Sequence, residues 1–486
     1  MGNDRLDGML AESFKKHKEK SAIIAPDFQC TYEELNRRSS EISTILLQRG
    51  LQRNEPVIVV TENKPENLIA IVAVLLSQGV VVPLDKNTPA DTVDAILSMT
   101  KARFIVGKPT HLQDKAFVLN EEEYLIQSKS VHRPENFDHL SGAALIVFTS
   151  GTTGAPKGVV VSHVGYSKKL ERVHSLIPFE ADDIVLIALK LTFSFGQWTS
   201  LISLWRGSTI LIVPKFSADE IVGFVEKYNV TKFPIVPSMM RMMLQNTSQD
   251  ILSHAPVLYM AGGEVLPETT GKAFLQKFPK SDLCDIYGST ETNSADFILM
   301  PGAYDTGSDS IGKPTPGVQY KIVKSDGSFA EAGESGELQI KTDHIMMFYL
   351  GRPDLTSAAF NGDYFKTGDL AFLRPDGYVS ISGRLKDEIH RGGNKIAPAE
   401  VEGVYLKFPS IRLAACIAIK DEIYGEKTML AFEGTEDVSD QELSSFGLKY
   451  LAKYKIPDVF KKVDSIPLGR TGKLDRAALR AKYYNG

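Results

Sequence analysis

The 486-residue sequence predicts an α/β fold: a large N-terminal domain of doubly wound sheets with a small β-barrel region, followed by a small α+β domain. Three observations lead there. Continuous apolar runs such as PVIVV (56–60), DIVLIAL (183–189) and STILIVP (208–214) alternate with segments of helical period, the pattern of parallel strands covered on both faces. From Pro301 to Gly351 the pattern changes to short strands broken by Gly and Asp, among them YKIVK (320–324) and ELQIK (337–341). Beyond Arg384 the chain continues as a compact α+β pattern of about a hundred residues, a domain's worth.

Taken in order, Thr31 and Glu34 are spaced as a capping box, and the helix they open carries Leu35, Ile42 and Ile45 on one side. PVIVV reads as a buried strand. An apolar helix from Asn67 to Gln78 follows, stopped by Gly79, and then the strand VVVP (80–83). A third helix, over about 91–100, leads to RFIVG (103–107). Right-handed crossovers limit the topology. The polar, poorly periodic segment His111–Ser141 is expected as a connection with one short strand. ALIVF (144–148) and GVVVSH (158–163) then read as two strands that pin the run between them. The second α/β block consists of DIVLIAL, a helix through Trp198–Trp205, STILIVP, a helix over 218–228, and TKFPIVPS (231–238). YVSISGR (378–384) closes the barrel-like region.

Composition narrows the function. Charged residues make up 24% and hydrophobic residues 43%, the mix of a soluble globular protein. A net charge of -5 argues against nucleic acid as a partner. Cys30, Cys284 and Cys416 lie far apart, with neither metal-ligand spacing nor a disulfide framework, and are expected as core thiols in a reducing compartment. The N-terminal stretch lacks the apolar run of a signal peptide, and the longest apolar stretch, Leu68–Leu76, is too short to span a bilayer. These features predict a cytoplasmic enzyme with no membrane span.

The pinned run, VFTSGTTGAPKG (147–158), has almost nothing to bury. Gly151, Gly154 and Gly158 let backbone N–H groups approach an anion, Thr149, Ser150, Thr152 and Thr153 add donors, and Lys157 supplies a mobile positive charge. The spacing is not that of a P-loop, because Lys157 follows too closely on Gly154. The run resembles the signature loop of the adenylate-forming superfamily, the AMP-binding enzymes that include acyl- and aryl-CoA ligases, amino-acid adenylation domains and luciferases.

Later motifs resemble that family in the same order. In DIYGSTET (285–292) the resemblance makes Asp285, Tyr287, Gly288 and Thr290 nucleotide-binding, with Tyr287 stacking a purine and Thr290 at the α-phosphate. Glu291 is its hard oxygen ligand for Mg²⁺. AGGE (261–264) is similar to the element lining the adenine slot, through Gly262, Gly263 and Glu264. In the long run from Phe365 to Glu402, Asp369 sits where the family holds both ribose hydroxyls and Arg384 where it contacts ribose or phosphate. Lys386 stands at the family's hinge, which implies domains of 1–385 and 386–486, the second of them mobile. PLGRTGKLDR (467–476) places Lys473 as the lysine that bridges the substrate carboxylate and the phosphate.

LTFSFGQW (191–198) corresponds to the acyl pocket, with Phe193, Ser194, Phe195, Trp198 and Tyr259 as candidate lining residues. Amino-acid adenylation domains carry an aspartate where this chain has Ser194, a departure that counts against an amino-acid substrate. The resemblance implies an ATP- and Mg²⁺-dependent acid–thiol ligase. It would activate a small carboxylic acid as an acyl-adenylate, with Lys473, Glu291 and Lys157 catalytic, and pass the acyl group to coenzyme A. Two alternatives stay open: a stand-alone adenylation enzyme loading the phosphopantetheine thiol of a carrier protein, and a non-catalytic nucleotide-binding module.

Overall fold

The computed structural model describes residues 4–107, 117–119, 126–127, 136–150, 156–246, 256–421, 423–467 and 474–484, with the backbone alone at 117–119, 126–127, 150 and 246. Two large mixed sheets carry the first half of the chain. The eight-stranded sheet runs in the order Phe348–Tyr349, Pro156–Ser162, Ala143–Ser150, Val80–Asp85, Pro56–Thr61, Phe104–Val106, Phe117–Leu119, Ile126–Gln127. Its central strands are parallel. The nine-stranded sheet centres on the parallel strands Ser21–Ala25, Thr209–Ile212, Ile184–Ile187, Lys232–Ile235, Leu258–Gly262 and Asp282–Tyr287.

Alternation along each strand explains how the sheets stack. Val57 and Val59 turn to one side and Ile58 and Val60 to the other, into separate apolar clusters. The first side shares its cluster with Ile23, Val185, Ile210 and Met260 of the nine-stranded sheet. The helices Pro65–Leu76, His163–Leu176 and Ser194–Arg206 therefore lie between the sheets. This is why Pro65–Leu76 is apolar all round, with Leu68 through Leu75 all buried. The outer face of the nine-stranded sheet is covered by Ala218–Tyr228, Pro237–Asn246 and Glu268–Lys277.

The region expected as a small barrel is a five-stranded antiparallel sheet of Gln319–Val323, Gly336–Lys341, Tyr364–Leu373, Phe360–Asn361 and Val379–Arg384. After it, Ile389–Arg391, Asn394–Ile396, Ile411–Asp421, Gly425–Gly434 and Val459–Lys462 form a further sheet with its own apolar clusters. Among the described residues the connection before the signature loop holds two short strands, 117–119 and 126–127, where one was expected. All three cysteines are buried free thiols, as expected. Among the described residues no helix is long and apolar enough to cross a membrane.

Glu55 and Arg103 stand just ahead of the parallel strands Pro56–Thr61 and Phe104–Val106 and join them. Arg103 donates Nε and Nη2 to the two carboxylate oxygens at 2.6 and 2.7 Å, and the side chains are only 0% (Glu55) and 8% (Arg103) exposed. Removing one partner of a buried pair leaves an uncompensated charge. Arg103→Met is expected to lower the unfolding free energy by about 3–5 kcal/mol. Urea denaturation measures it, and a loss below about 1 kcal/mol, the range of an exposed pair, contradicts the expectation.

Candidate active site

The signature run leaves one strand and enters the next as a hairpin. Thr149 and Lys157 are direct cross-strand partners, and Ser150 is paired with Pro156. The tip of the hairpin, with Gly151, Thr152, Thr153 and Gly154, lies outside the described residues, as does the side chain of Ser150. Beside Pro156–Ser162 the short strand Phe348–Tyr349 pairs antiparallel, which brings the Tyr349 ring to 5.5 Å from the Lys157 ammonium. The Tyr349 hydroxyl donates to Glu291 Oε1 at 2.8 Å. Burial, reinforced by the Glu291 charge, pushes that phenol well above its ordinary pKa, so it remains a donor. Lys157 and Glu291, assigned from separate motifs, thus meet at one tyrosine that the sequence reading did not single out.

Glu291 belongs to the loop 288–296, which links Asp282–Tyr287 to the antiparallel strand Phe297–Leu299. Gly288 is required at its start: a Cβ there would sit 2.6 Å from the backbone of Ser294 and Ala295. At the same point the Tyr287 hydroxyl donates to Asp369 Oδ2 at 2.6 Å, and Arg384 Nε lies 2.8 Å from Asp369 Oδ1. The last pair follows from register, since Asp369 and Arg384 are cross-strand partners. Asp369 is 7% exposed, while the Arg384 side chain reaches solvent. Burial, with the Asp369 carboxylate adding to it, raises the Tyr287 phenol far above its ordinary pKa.

The AGGE element ends the strand Leu258–Gly262, parallel to Asp282–Tyr287, with Gly262 beside Ile286. A Cβ at Gly262 would meet Ile286 O at 2.8 Å and Phe195 Cε1 at 3.0 Å, so the glycine admits the Phe195 ring. Gly263 takes the left-handed conformation, φ +83°. Glu264 accepts from Ser238 Oγ at 3.2 Å and lies 3.7 Å from Arg241 Nη2. Asp285 is buried, and desolvation lifts its carboxyl to about 8, so it is largely protonated at neutral pH and able to donate as well as accept.

The aromatic residues assigned to the acyl pocket separate into two groups. Ser194 opens the helix Ser194–Arg206 and bonds Ser294 Oγ at 2.9 Å; Phe195 stacks on Trp198 at 5.3 Å; Phe193 is exposed. Trp198 is wholly buried in the layer between the sheets, where it supports Phe195. Tyr259 does not belong with them. Strand alternation turns it to the opposite face, into a ring of Phe233, Phe274 and Phe278, so its assignment to the pocket wall is corrected to outer core.

Lys386 is exposed in a single 3₁₀ turn, Leu385–Asp387, directly after Arg384. Lys473 lies outside the described residues. Among the described residues on either side, Asp475 N donates to Pro467 O at 2.8 Å. Arg391, in the short strand Ile389–Arg391, is engaged by Asp458 and by Tyr454 O.

A second group under the 288–296 loop also escaped the sequence reading: Lys169, Asp296 and His344, all 0% exposed. The signal was present for Lys169. It follows Tyr166 by three residues and precedes Val173 by four, on the apolar side of the helix His163–Leu176.

Two doubly wound sheets, with the AGGE element and the 288–296 loop at the ends of neighbouring parallel strands, give the α/β architecture of a nucleotide-binding enzyme class. The chain belongs to the AMP-binding enzyme family, which matches residues 10–350. It is 30% identical to the 2-succinylbenzoate–CoA ligase of Bacillus pumilus (strain SAFR-032), over 96% of this chain and 95% of that protein. It is 28% identical over 98% of its length to gramicidin S synthase 2 of Brevibacillus brevis, but spans only 11% of that protein. The o-succinylbenzoate CoA synthetase of Bacillus subtilis, solved with its acyl-adenylate intermediate, superposes with a TM-score of 0.85 at 25% identity, covering 97% of both chains.

Proposed function

We propose that the chain is an AMP-forming acid–thiol ligase that activates a small carboxylic acid with ATP and Mg²⁺ and transfers the acyl group to coenzyme A. One observation carries this reading. The loop that follows Tyr287 joins two side-chain clusters within four residues: Tyr287 holds Asp369, and Glu291 is held by Tyr349 beside Lys157. ATP has the matching form, a ribose with two hydroxyls close to a polyanionic chain.

In this reading Asp369 accepts from both ribose hydroxyls while Tyr287 presents its ring to the purine. Lys157, with the hydroxyls and amides of the signature hairpin, takes the β- and γ-phosphates. Glu291 suits Mg²⁺, which binds through one or two carboxylates together with substrate phosphates and water. When bound, Mg²⁺ neutralises charge on the phosphate oxygens. The acid's carboxylate oxygen attacks the α-phosphorus in line, the bond to the bridging oxygen breaks with its electron pair going to pyrophosphate, and an acyl-adenylate forms. Lys473 orients the attacking carboxylate against the repulsion of the phosphates. The unit beyond Lys386 then turns about that residue, and a thiolate attacks the acyl carbon and releases AMP.

Coenzyme A is the preferred acceptor because the likeness to the CoA ligase is end to end, whereas the chain covers a small part of the peptide synthetase. Ser194 in place of an acidic partner for an ammonium group supports an acid without an α-amino group. Three buried free thiols suit a cytoplasmic setting.

The test is a pyrophosphate-exchange screen over short, medium, aryl and dicarboxylic acids, followed by AMP release with free CoA or with a phosphopantetheinylated carrier protein. Acid-dependent exchange, with CoA supporting AMP release, is expected. Tight ATP binding with no exchange for any acid favours the non-catalytic reading, and release with the carrier alone favours the stand-alone adenylation enzyme.

A further inference from the structure

Three consecutive non-glycine residues of the 288–296 loop, Asn293, Ser294 and Ala295, hold left-handed backbone at φ 59°, 64° and 52°. Such backbone costs roughly 1–2 kcal/mol for an ordinary L-residue such as Ser294 or Ala295, and less for Asn293, and the strain persists only where the surroundings over-determine it. Ala295 has no side-chain polar group with which to offset it. Its carbonyl instead receives two donors from outside the loop, Lys169 Nζ at 2.8 Å and Thr315 Oγ1 at 3.1 Å.

The neighbours complete the clamp. Asp296 accepts from Thr292 Oγ1 within the loop and faces Lys169 Nζ and His344 Nε2, each at 3.5 Å. Asn293 Nδ2 donates to His344 O, and Met346 N donates to Glu291 O at 2.7 Å. Further out, Arg172 bonds the His344 ring and pairs with Asp343. A fully buried lysine is rare unless paired, and this one places its shortest bond on the strained turn rather than on Asp296.

We infer that Lys169 is a positioning residue for the phosphate-facing loop: its buried ammonium holds the left-handed turn 293–295 and thereby the aim of Glu291 and Thr290. The inference rests on the reading of Glu291 as the Mg²⁺ ligand. A lysine that merely ties the helix His163–Leu176 to the sheet would affect stability alone. One that sets the turn mainly affects how much Mg²⁺ strengthens ATP binding, while binding without the metal, shared among Tyr287, Asp369 and Lys157 outside the loop with only Thr290 within it, changes little.

The experiment is calorimetric titration of ATP with and without Mg²⁺, alongside thermal unfolding, on the full chain. Lys169→Met is expected to bind metal-free ATP within threefold of the unmodified protein and to lose at least tenfold of the Mg²⁺-dependent gain. Adding Ala295→Gly, which takes the left-handed backbone without steric cost, is expected to recover threefold or more of that gain. Thr315→Val, which removes the other donor to the same carbonyl, gives a milder form of the same split, about threefold, and serves if Lys169→Met does not fold.

A Mg²⁺-dependent gain within twofold of the unmodified value in folded Lys169→Met overturns the inference. So does a Thr315→Val protein without the split when Lys169→Met is unfolded, or a double variant that regains melting temperature but not the metal-dependent gain. Absence of any Mg²⁺-dependent gain in the unmodified protein overturns the metal assignment of Glu291 as well.

Discussion

Asp369→Ala is expected to weaken ATP binding about a hundredfold, or roughly 2.7 kcal/mol. In the proposed site this carboxylate accepts from two ribose hydroxyls, and hydrogen bonds to a charged group are worth roughly 1.5–3 kcal/mol each. Asp369 also orders its surroundings: Tyr287 donates to one oxygen and Arg384 to the other, so the truncation frees the purine-facing ring to move. Equilibrium binding of ATP and of its 2′- and 3′-deoxy analogues separates these effects. The unmodified protein should discriminate against the deoxy analogues and the variant should not. If the variant, shown to be folded, binds ATP within threefold of the unmodified protein, the ribose assignment is wrong.

The second large effect is a pH dependence of stability that passes through His344. Burial, with Lys169 close by, lowers this imidazole to about 4 from an ordinary 6.5. The unfolded chain therefore binds a proton near pH 6.5 that the folded chain refuses until about pH 4. Stability from this residue is fully present above pH 6.5 and is lost as the pH falls toward 4. Between pH 7.5 and 5 the change is about 2 kcal/mol.

Asp285, lifted by desolvation to about 8, works in the opposite direction, because the folded state holds its proton where the unfolded chain has lost it. The informative quantity is therefore the difference between the unmodified protein and His344→Gln. Urea denaturation is expected to show a stability gap that is larger at pH 7.5 and narrows by about 2 kcal/mol at pH 5. A gap that stays constant over that range contradicts the assignment.

The architecture was legible because strands buried on both faces spell themselves as unbroken apolar runs, as in PVIVV and DIVLIAL, and both proved to be central strands. The apolar helix ahead of Gly79 was legible for a related reason, since a helix between two sheets has no polar face to mark its sides. What composition could not give was the side of a sheet on which a residue falls. Tyr259 is one residue out of step with the face that meets Phe195, and a single step in a strand reverses the direction of a side chain. Tyr349 and Asp296 were invisible for another reason. Each acts through a partner that is distant in sequence, Glu291 for one and Lys169 for the other. Lys169 itself left a readable trace, a charge among apolar neighbours at helical spacing.

The strand Ser21–Ala25 sits inside the second sheet, parallel to Thr209–Ile212, and Thr209 Oγ1 donates to Ser21 O across a separation of 188 residues. At ribosomal speeds of roughly 5–20 residues per second, the earlier strand is made roughly 10–40 s before its neighbour emerges. For that interval Ile23 and Ile24 lack the partner strand that covers them in the folded chain, so the nascent chain is expected to be a better chaperone target, and more prone to aggregate, than the folded protein.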